Sequence, residues 1–338
     1  MTQNVLLQVN NLKTYFTRKP PFFFMPQRYV YAVDGISFTV DREETVGLVG
    51  ESGCGKTTTG RSILGLEPIT GGSVVFDGVD LAVASSAQWK ALKKRMQIVF
   101  QDPYGSLNPR MTINQTLREP LLLHTITTRA LVDEQVNALL HRVGLDPAQR
   151  HRYPHEFSGG QRQRVCIARA LAVNPDFIVL DEPVSALDVS IQAQILNLLM
   201  DIQESMKLSY LFIAHDLAVV RHISHRIIVM YLGKIMEMAD TDALFRTPLH
   251  PYTVALMSAV PVINKKEKKQ RIVLHGDLPS PASPPKGCPF NTRCYMAEKI
   301  CRTEKPELTE VESGHFVACH FYKKVQQKNS ISETNRVS

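Results

Sequence analysis

The residues best suited to chemistry form a glycine-rich loop early in the chain. The stretch "GESGCGKTT" (50–58) matches G-x-x-x-x-G-K-[ST] and follows "TVGLVG", an apolar run typical of a buried strand. Glycines let such a loop bend so that its N–H groups surround a phosphate, Lys56 adds positive charge, and Thr57 offers a hydroxyl to Mg²⁺. The pattern predicts a nucleotide site. The residues expected to bind it are Gly50, Glu51, Ser52, Gly53, Cys54, Gly55, Lys56, Thr57 and Thr58.

A second group of candidates follows the apolar run "FIVLDEP" (177–183). Asp181 at the end of such a strand could hold Mg²⁺ through water, and Glu182 beside it could polarise an attacking water molecule. An apolar run that ends in Asp-Glu is common on its own. With a phosphate loop upstream it predicts the second half of a phosphoryl-transfer site.

The stretch "FSGGQRQR" (157–164) is the most specific in the chain. Ser158 is a good N-cap residue, and the glycines after it would leave the helix N-terminus open to an anion. An ordinary capped helix would not need two glycines followed by Gln161. We therefore interpret Ser158, Gly159, Gly160 and Gln161 as a second phosphate-contacting segment.

Strands and helices alternate over most of the chain and must position these residues. "FIVLD" and "SYLFIA" (209–214) are continuous apolar runs that suit strands buried on both faces of a parallel sheet, and "LVDEQVNALLHRVGL" (131–145) has helical spacing. The pattern predicts an α/β domain over 1–260 that turns helical from about 110 to 155. The proline-rich stretch after 275 predicts a loop-rich module over 261–322, and the polar tail over 323–338 is expected to be disordered.

The composition of the chain excludes few classes of function. The net charge is +7, and the basic residues occur in short clusters rather than one long arm, so charge does not identify a partner. No stretch approaches the ~18 consecutive apolar residues of a transmembrane helix, and the N-terminus lacks the pattern of a secretory signal. The sequence is therefore expected to belong to a cytosolic protein, where stable disulfides are rare.

These motifs, in this order, resemble the ATP-binding subunits of ABC transporters. The resemblance covers roughly residues 5–320 and implies a P-loop NTPase fold, with a RecA-like core, a β-rich subdomain and a helical subdomain at about 102–170. Phe16, or Tyr15 beside it, matches the aromatic residue that stacks on adenine. Gln101 in "IVFQDP" matches the Q-loop glutamine, and His215 in "IAHD" matches the switch histidine.

The resemblance also implies a role for each matching residue. Glu182, His215, Gln101 and Lys56 would be catalytic, and Thr57, Gln101 and Asp181 would hold Mg²⁺. In this family the nucleotide lies between two subunits, so Ser158, Gly159, Gly160, Gln161 and the D-loop residue Asp188 would contact ATP bound to a partner.

A narrower resemblance is to the F-type subunit of dipeptide and oligopeptide permeases. It rests on "QDPYGSLNPR" (101–110), "LFRTPLHPYTVALMSAVP" (244–261), "GDLPSPASPPKGCPFNTRC" (276–294) and the insertion "PPFFFMPQRY" (20–29), whose phenylalanines are expected to pack locally. It implies a peripheral motor at the cytoplasmic face of the inner membrane. Its expected partners are a homologous ATPase in a heterodimer, two membrane permeases and an extracytoplasmic binding protein, with no nucleic acid.

Four of the six cysteines, Cys288, Cys294, Cys301 and Cys319, lie close together near the end of the chain with the spacing C-x5-C-x6-C-x17-C. Two disulfides are disfavoured in a cytosolic protein. Structural zinc is possible although the usual short C-x2-4-C pairs are missing, and unliganded thiols are the simplest alternative. The permease resemblance implies a [4Fe–4S] cluster on these four thiolates, with zinc as the runner-up.

Other functions stay open at this point. An ABC-type ATPase that acts on DNA or ribosomes would carry a long coiled coil or a second ATPase module, and neither pattern is found here. A redox enzyme built on the cysteines would leave the ATPase motifs unexplained. The cargo could also be haem or a metal chelate rather than a peptide.

Overall fold

The computed structural model describes residues 4–18, 28–124, 129–260 and 271–327. The phenylalanine-rich residues 20–27, the segment 261–270 that follows the expected domain boundary, and residues 328–338 of the expected tail lie outside these ranges. Residues 322–327 are helical and Val325 is buried, so the expected start of the tail at 323 is too early.

Strands and helices alternate as expected. The strands are β1 (Val5–Arg18), β2 (Arg28–Asp41), β3 (Thr45–Val49), β4 (Gly71–Phe76), β5 (Val79–Asp80), β6 (Met96–Val99), β7 (Phe177–Asp181), β8 (Ser209–Ala214), β9 (Arg226–Tyr231), β10 (Lys234–Asp240), β11 (Thr309–Glu312) and β12 (His315–Val317). The α-helices are α1 (Lys56–Ile63), α2 (Ser86–Arg95), α3 (Pro103–Ser106), α4 (Ile113–His124), α5 (Arg129–Arg142), α6 (Gly159–Leu171), α7 (Val189–Met206), α8 (Leu217–Ile223), α9 (Thr241–Arg246), α10 (Pro251–Ser258) and α11 (Lys299–Thr303). Short 3-10 helices span Pro147–His151 and Pro154–Glu156.

The chain divides into two compact units, whose boundaries do not coincide with those of the expected domains. The first unit contains the described residues up to 7, together with 39–45 and 75–213. Its centre is a parallel arrangement of β6, β7 and β8, with Met96 opposite Phe177 and Phe177 opposite Ser209. Every residue of β7 and β8 is buried, which confirms the interpretation of both apolar runs. The carboxyl ends of these strands therefore lie side by side.

Helices α3 to α6, between residues 103 and 171, cover the range where a helical subdomain was expected. Helix α6 begins at a capping box, in which the Ser158 hydroxyl accepts from the Gln161 N–H (3.3 Å) and the Gln161 side chain accepts from the Ser158 N–H (3.0 Å). The helix start predicted from "SGGQ" is confirmed.

The second unit contains residues 8–38, 46–74 and the described residues from 214 onward. Strands β3 and β9 are parallel, and β9, β10, β12 and β11 then pair antiparallel in that order. The strands β2, β1 and β4 are neighbours in a separate sheet. Between residues 271 and 298 the chain has neither helix nor strand, as its prolines predict.

A buried carboxylate on β10 holds β12 and the start of α10 in place within this second unit. Glu237 of β10 is fully buried and accepts from the N–H groups of Leu249 (2.6 Å) and His250 (2.9 Å). Its Oε1 also lies 2.8 Å from Nε2 of His315 in β12. Each of these polar groups has a partner, which a buried carboxylate requires.

No helix in the described ranges is long and apolar enough to cross a membrane.

Candidate functional site

The phosphate loop lies between β3 and α1, as the sequence predicts. All five residues of β3 are buried, and α1 begins at Lys56. Gly50 and Gly55 have no room for a side chain, because a Cβ would lie 2.1 Å from the Met230 oxygen at one position and 2.1 Å from the Ala32 oxygen at the other. Gly55 also has φ 108°, a conformation that favours glycine.

Lys56 is held over the loop that it is expected to serve. Its ammonium donates to the carbonyls of Gly50 (2.8 Å) and Glu51 (3.1 Å), and the residue is 4% exposed. Thr57 and Thr58 follow in the first turn of α1, and Ser52 and Gly53 are exposed. Positive charge and the N-terminus of a helix therefore meet at the loop, which suits a phosphate.

The loop cysteine is not reactive in this environment. Cys54 is 1% exposed, and burial raises the pKa of its thiol to about 11. The thiol therefore stays protonated at neutral pH. Because the thiolate is the reactive form of cysteine, Cys54 is expected to be unreactive. Cys54 therefore contributes to the loop through its backbone rather than through its thiol.

The structure brings two of the expected catalytic residues into contact. Gln101 follows β6 and Glu182 follows β7, and the Gln101 Nε2 donates to the Glu182 Oε2 at 3.0 Å. Asp181 ends β7 and is 2% exposed. Glu182 has φ +47°, which is uncommon for a residue other than glycine, and its N–H donates to the Ile213 oxygen of β8. Backbone strain of this kind concentrates at functional sites.

The segment expected to face a partner's nucleotide lies in the same unit. Ser158 is exposed, and Gly160 has no room for a side chain, because a Cβ would lie 2.5 Å from Cγ2 of Ile191 in α7. Asp188 is exposed at the N-cap position of α7. The phosphate loop and the exposed His215 belong to the other unit.

The two aromatic candidates for stacking on adenine differ in their surroundings. The Tyr15 hydroxyl donates to Asp34 at 2.6 Å, and its ring lies edge-on to Tyr31 at 4.8 Å. Burial, with Asp34 nearby, raises the pKa of Tyr15. Phe16 is half-buried and, as the next residue of β1, faces the opposite side of the strand. The choice between them stays a prediction.

All four C-terminal cysteines line one small cavity of about 20 Å³ as free thiols. Cys288 and Cys301 are buried, and Cys294 and Cys319 are half-buried. Burial, with a smaller contribution from the neighbouring thiols, raises the pKa of Cys288 to about 11 and that of Cys319 to about 12. Because these cysteines are free thiols, the structure does not support the disulfide alternative.

The structure does not itself show a metal site at these cysteines. In the parts of the chain that the structure describes, no group of three or more His, Cys, Asp or Glu side chains has the arrangement that holds a metal ion. The only structural support for the predicted [4Fe–4S] cluster is therefore that the four thiols line one cavity.

One contact near the phosphate loop was missed by sequence reasoning. Arg293, between Cys288 and Cys294 in the chain, pairs with Glu51 of the loop. The two residues are 242 positions apart, and neither has a neighbouring pattern that would have indicated the pair.

Comparisons with known proteins agree with the motifs. A family model described as "ABC transporter" matches residues 33–185, and one described as "Oligopeptide/dipeptide transporter, C-terminal region" matches residues 236–301. The oligopeptide transport ATP-binding protein AppF of Bacillus subtilis (strain 168) is 53% identical over 323 residues, which cover 95% of this chain and 98% of that protein. The dipeptide transport ATP-binding protein DppF of Escherichia coli (strain K12) is 48% identical over 317 residues, 94% of each chain.

A solved structure also resembles this fold. The dimeric, post-hydrolysis state of the ATP-binding cassette MJ0796 bound to ADP and Pi has a TM-score of 0.62 and 27% identity. The similarity covers 70% of this chain and 99% of the cassette.

Proposed function

Because this chain belongs to the ATP-binding subunits of ABC transporters, and carries the C-terminal region of the oligopeptide and dipeptide transporters, we propose that it powers peptide import through membrane permease subunits. Its relatives are named as transport ATP-binding proteins for oligopeptides and dipeptides, which does not favour a role on DNA or ribosomes. The same names favour a peptide over haem or a metal chelate as the cargo. The observation that carries the proposal is the complete phosphate loop with Lys56 held over it.

Each residue of the phosphate and catalytic motifs has a separate role in hydrolysis. The loop N–H groups and Lys56 bind the phosphates, and Glu182 accepts a proton from the attacking water, which Gln101 helps to orient through its hydrogen bond to that carboxylate. Thr57, Gln101 and Asp181 offer oxygen ligands, which suit Mg²⁺. When bound, that ion would neutralise charge on the phosphates. His215 would act as the switch histidine that the family resemblance implies.

We also propose an arrangement of subunits. Ser158 and Asp188 are exposed at the starts of α6 and α7, where they are available to a nucleotide held by another subunit. The solved cassette that this chain resembles is dimeric. The proposed partners are a homologous ATPase in a heterodimer, two permeases and an extracytoplasmic binding protein, with this chain at the cytoplasmic face of the membrane.

Transport in a reconstituted system tests the function. Vesicles that contain this chain with its copurified permease subunits and binding protein should take up labelled dipeptides or oligopeptides only when ATP is supplied. The Lys56→Ala variant should abolish uptake, because it removes the charge over the phosphates. Uptake of haem or a metal chelate without any uptake of peptides would contradict the cargo.

For the C-terminal residues 261–322, the cysteine module, we propose a [4Fe–4S] cluster on Cys288, Cys294, Cys301 and Cys319. Four free thiols that line one cavity supply the ligand set that such a cluster needs. Bound there, the cluster would tie together a proline-rich segment with little core of its own. The separation of this module from an ATPase domain over 1–260 is part of the same proposal.

Metal analysis of anaerobically purified protein tests the cluster. We expect roughly four irons per chain with matching sulfide, which is the content of one such cluster. Cys319→Ser should lose iron, whereas Cys166→Ser, outside the cavity, should keep it. Colourless protein with about one zinc per chain would replace the cluster with the runner-up, and metal-free protein would leave unliganded thiols.

A further inference from the structure

Glu51 places a negative charge inside the phosphate loop. It is the only acidic residue in the loop "GESGCGKT" (50–57), which is expected to surround a polyanion. A carboxylate beside bound phosphates repels them, and this weakens binding unless a positive charge offsets it. The structure shows where that positive charge comes from.

Arg293 supplies the offsetting charge from the cysteine module. Its Nη1 lies 3.0 Å from Oε1 and 2.7 Å from Oε2 of Glu51. The Arg293 side chain is 9% exposed and that of Glu51 is 28% exposed, so solvent screens this pair less than a surface ion pair. One nitrogen contacts both oxygens, a geometry that an ammonium group can also provide.

The backbone of Glu51 is fixed as well. Its N–H donates to the Tyr252 hydroxyl at 2.9 Å, and its carbonyl accepts from Lys56 at 3.1 Å. The ring of Tyr252 packs against Phe290 at 5.2 Å between centroids, and Phe290 lines the cysteine cavity. These contacts hold the backbone of Glu51 in place, so its carboxylate stays close to the loop, where Arg293 pairs with it.

We propose that Arg293 is a positioning residue for ATP binding, which neutralises the Glu51 carboxylate and holds it in a fixed place beside the phosphate loop. The proposal rests on the ATP-hydrolysing function of the chain and assigns to the cysteine module a part in nucleotide affinity. Arg293 itself acts through Glu51 and not on the reacting atoms.

The sign of the effect in each variant distinguishes this role from simple structural support. Arg293→Gln leaves the carboxylate unpaired and should weaken ATP binding by about tenfold at low ionic strength. Glu51→Gln leaves the positive charge unpaired and should tighten binding. The double variant, which has neither charge, should return to near the wild-type affinity. A structural brace would instead lose affinity in all three variants.

The measurement is the equilibrium dissociation constant of a fluorescent ATP analogue with the full-length chain. Arg293→Lys should bind almost as well as the wild type, and Arg302→Gln, an exposed arginine of the same module, should be unchanged. Rising salt should shrink the differences because it screens the charges.

Weaker binding by the Glu51→Gln variant, or an Arg293→Gln affinity within twofold of the wild type, would overturn the proposal. Neither peptide uptake nor iron content enters the measurement. The failure of the peptide or cluster proposal would therefore be seen separately.

Discussion

The Glu182→Gln variant is expected to hydrolyse ATP about a hundredfold or more slowly than the wild type, while its affinity for ATP persists. Glutamine has the same shape and keeps an oxygen that can accept from Gln101, whose Nε2 lies 3.0 Å from the native carboxylate. The substitution removes only the ability to take a proton from water. Steady-state phosphate release and equilibrium nucleotide binding, measured on the same preparation, separate the two effects.

A matched control is available on α7. Glu204 is exposed, and Glu204→Gln should leave the rate unchanged, which excludes a general effect of the lost charge. If Glu182→Gln hydrolyses ATP at close to the wild-type rate, Glu182 is not the general base. The strained backbone at φ +47° would then need another explanation.

The second large effect concerns the buried carboxylate of β10. Glu237→Leu should lower the free energy of local opening around β11 and β12 by about 3–5 kcal/mol, the scale for removing one partner of a buried charged group. The leucine leaves the N–H groups of Leu249 and His250 and the Nε2 of His315 without their acceptor. Hydrogen exchange of the peptide covering 309–317 measures this opening directly.

Two further variants calibrate that result. Glu237→Gln keeps one acceptor oxygen and should lose less, so the order of the two variants tests the hydrogen-bond explanation. Glu307→Gln, at an exposed glutamate of the same region, should stay within about 0.5 kcal/mol of the wild type. Unchanged exchange in the leucine variant would show that the carboxylate does not hold β12 in place.

Local features of the fold could be predicted because local residues determine them. The apolar runs of β7 and β8, the glycines of the phosphate loop and the cap at Ser158 each depend on neighbouring residues, and each lies where the sequence placed it. The contact of Gln101 with Glu182 is of a different kind. The family resemblance implied only that both residues belong to the catalytic site, and no local pattern predicts their hydrogen bond, since 81 positions separate them.

Long-range polar pairs could not be predicted. Glu51 with Arg293, and Glu237 with His315, join residues that are 242 and 78 positions apart, and a single charged residue has no periodicity to reveal its partner. The strands β11 and β12 were missed for a related reason. They are four and three residues long and pair within a region that prolines and cysteines make irregular. Tertiary contacts, rather than strand propensity, decide such short elements.

The missing side chain at Gly160 has a mechanical consequence. The start of α6 approaches α7 so closely that a Cβ would lie 2.5 Å from Ile191, and a Cβ on Gly159 would lie 3.3 Å from Leu187. Interlocked helices of this kind do not slide past one another by small steps. Ser158 and Asp188, at the two helix starts, should therefore travel as one rigid body, so that under the proposed subunit arrangement both would reach the partner's nucleotide in the same movement or not at all.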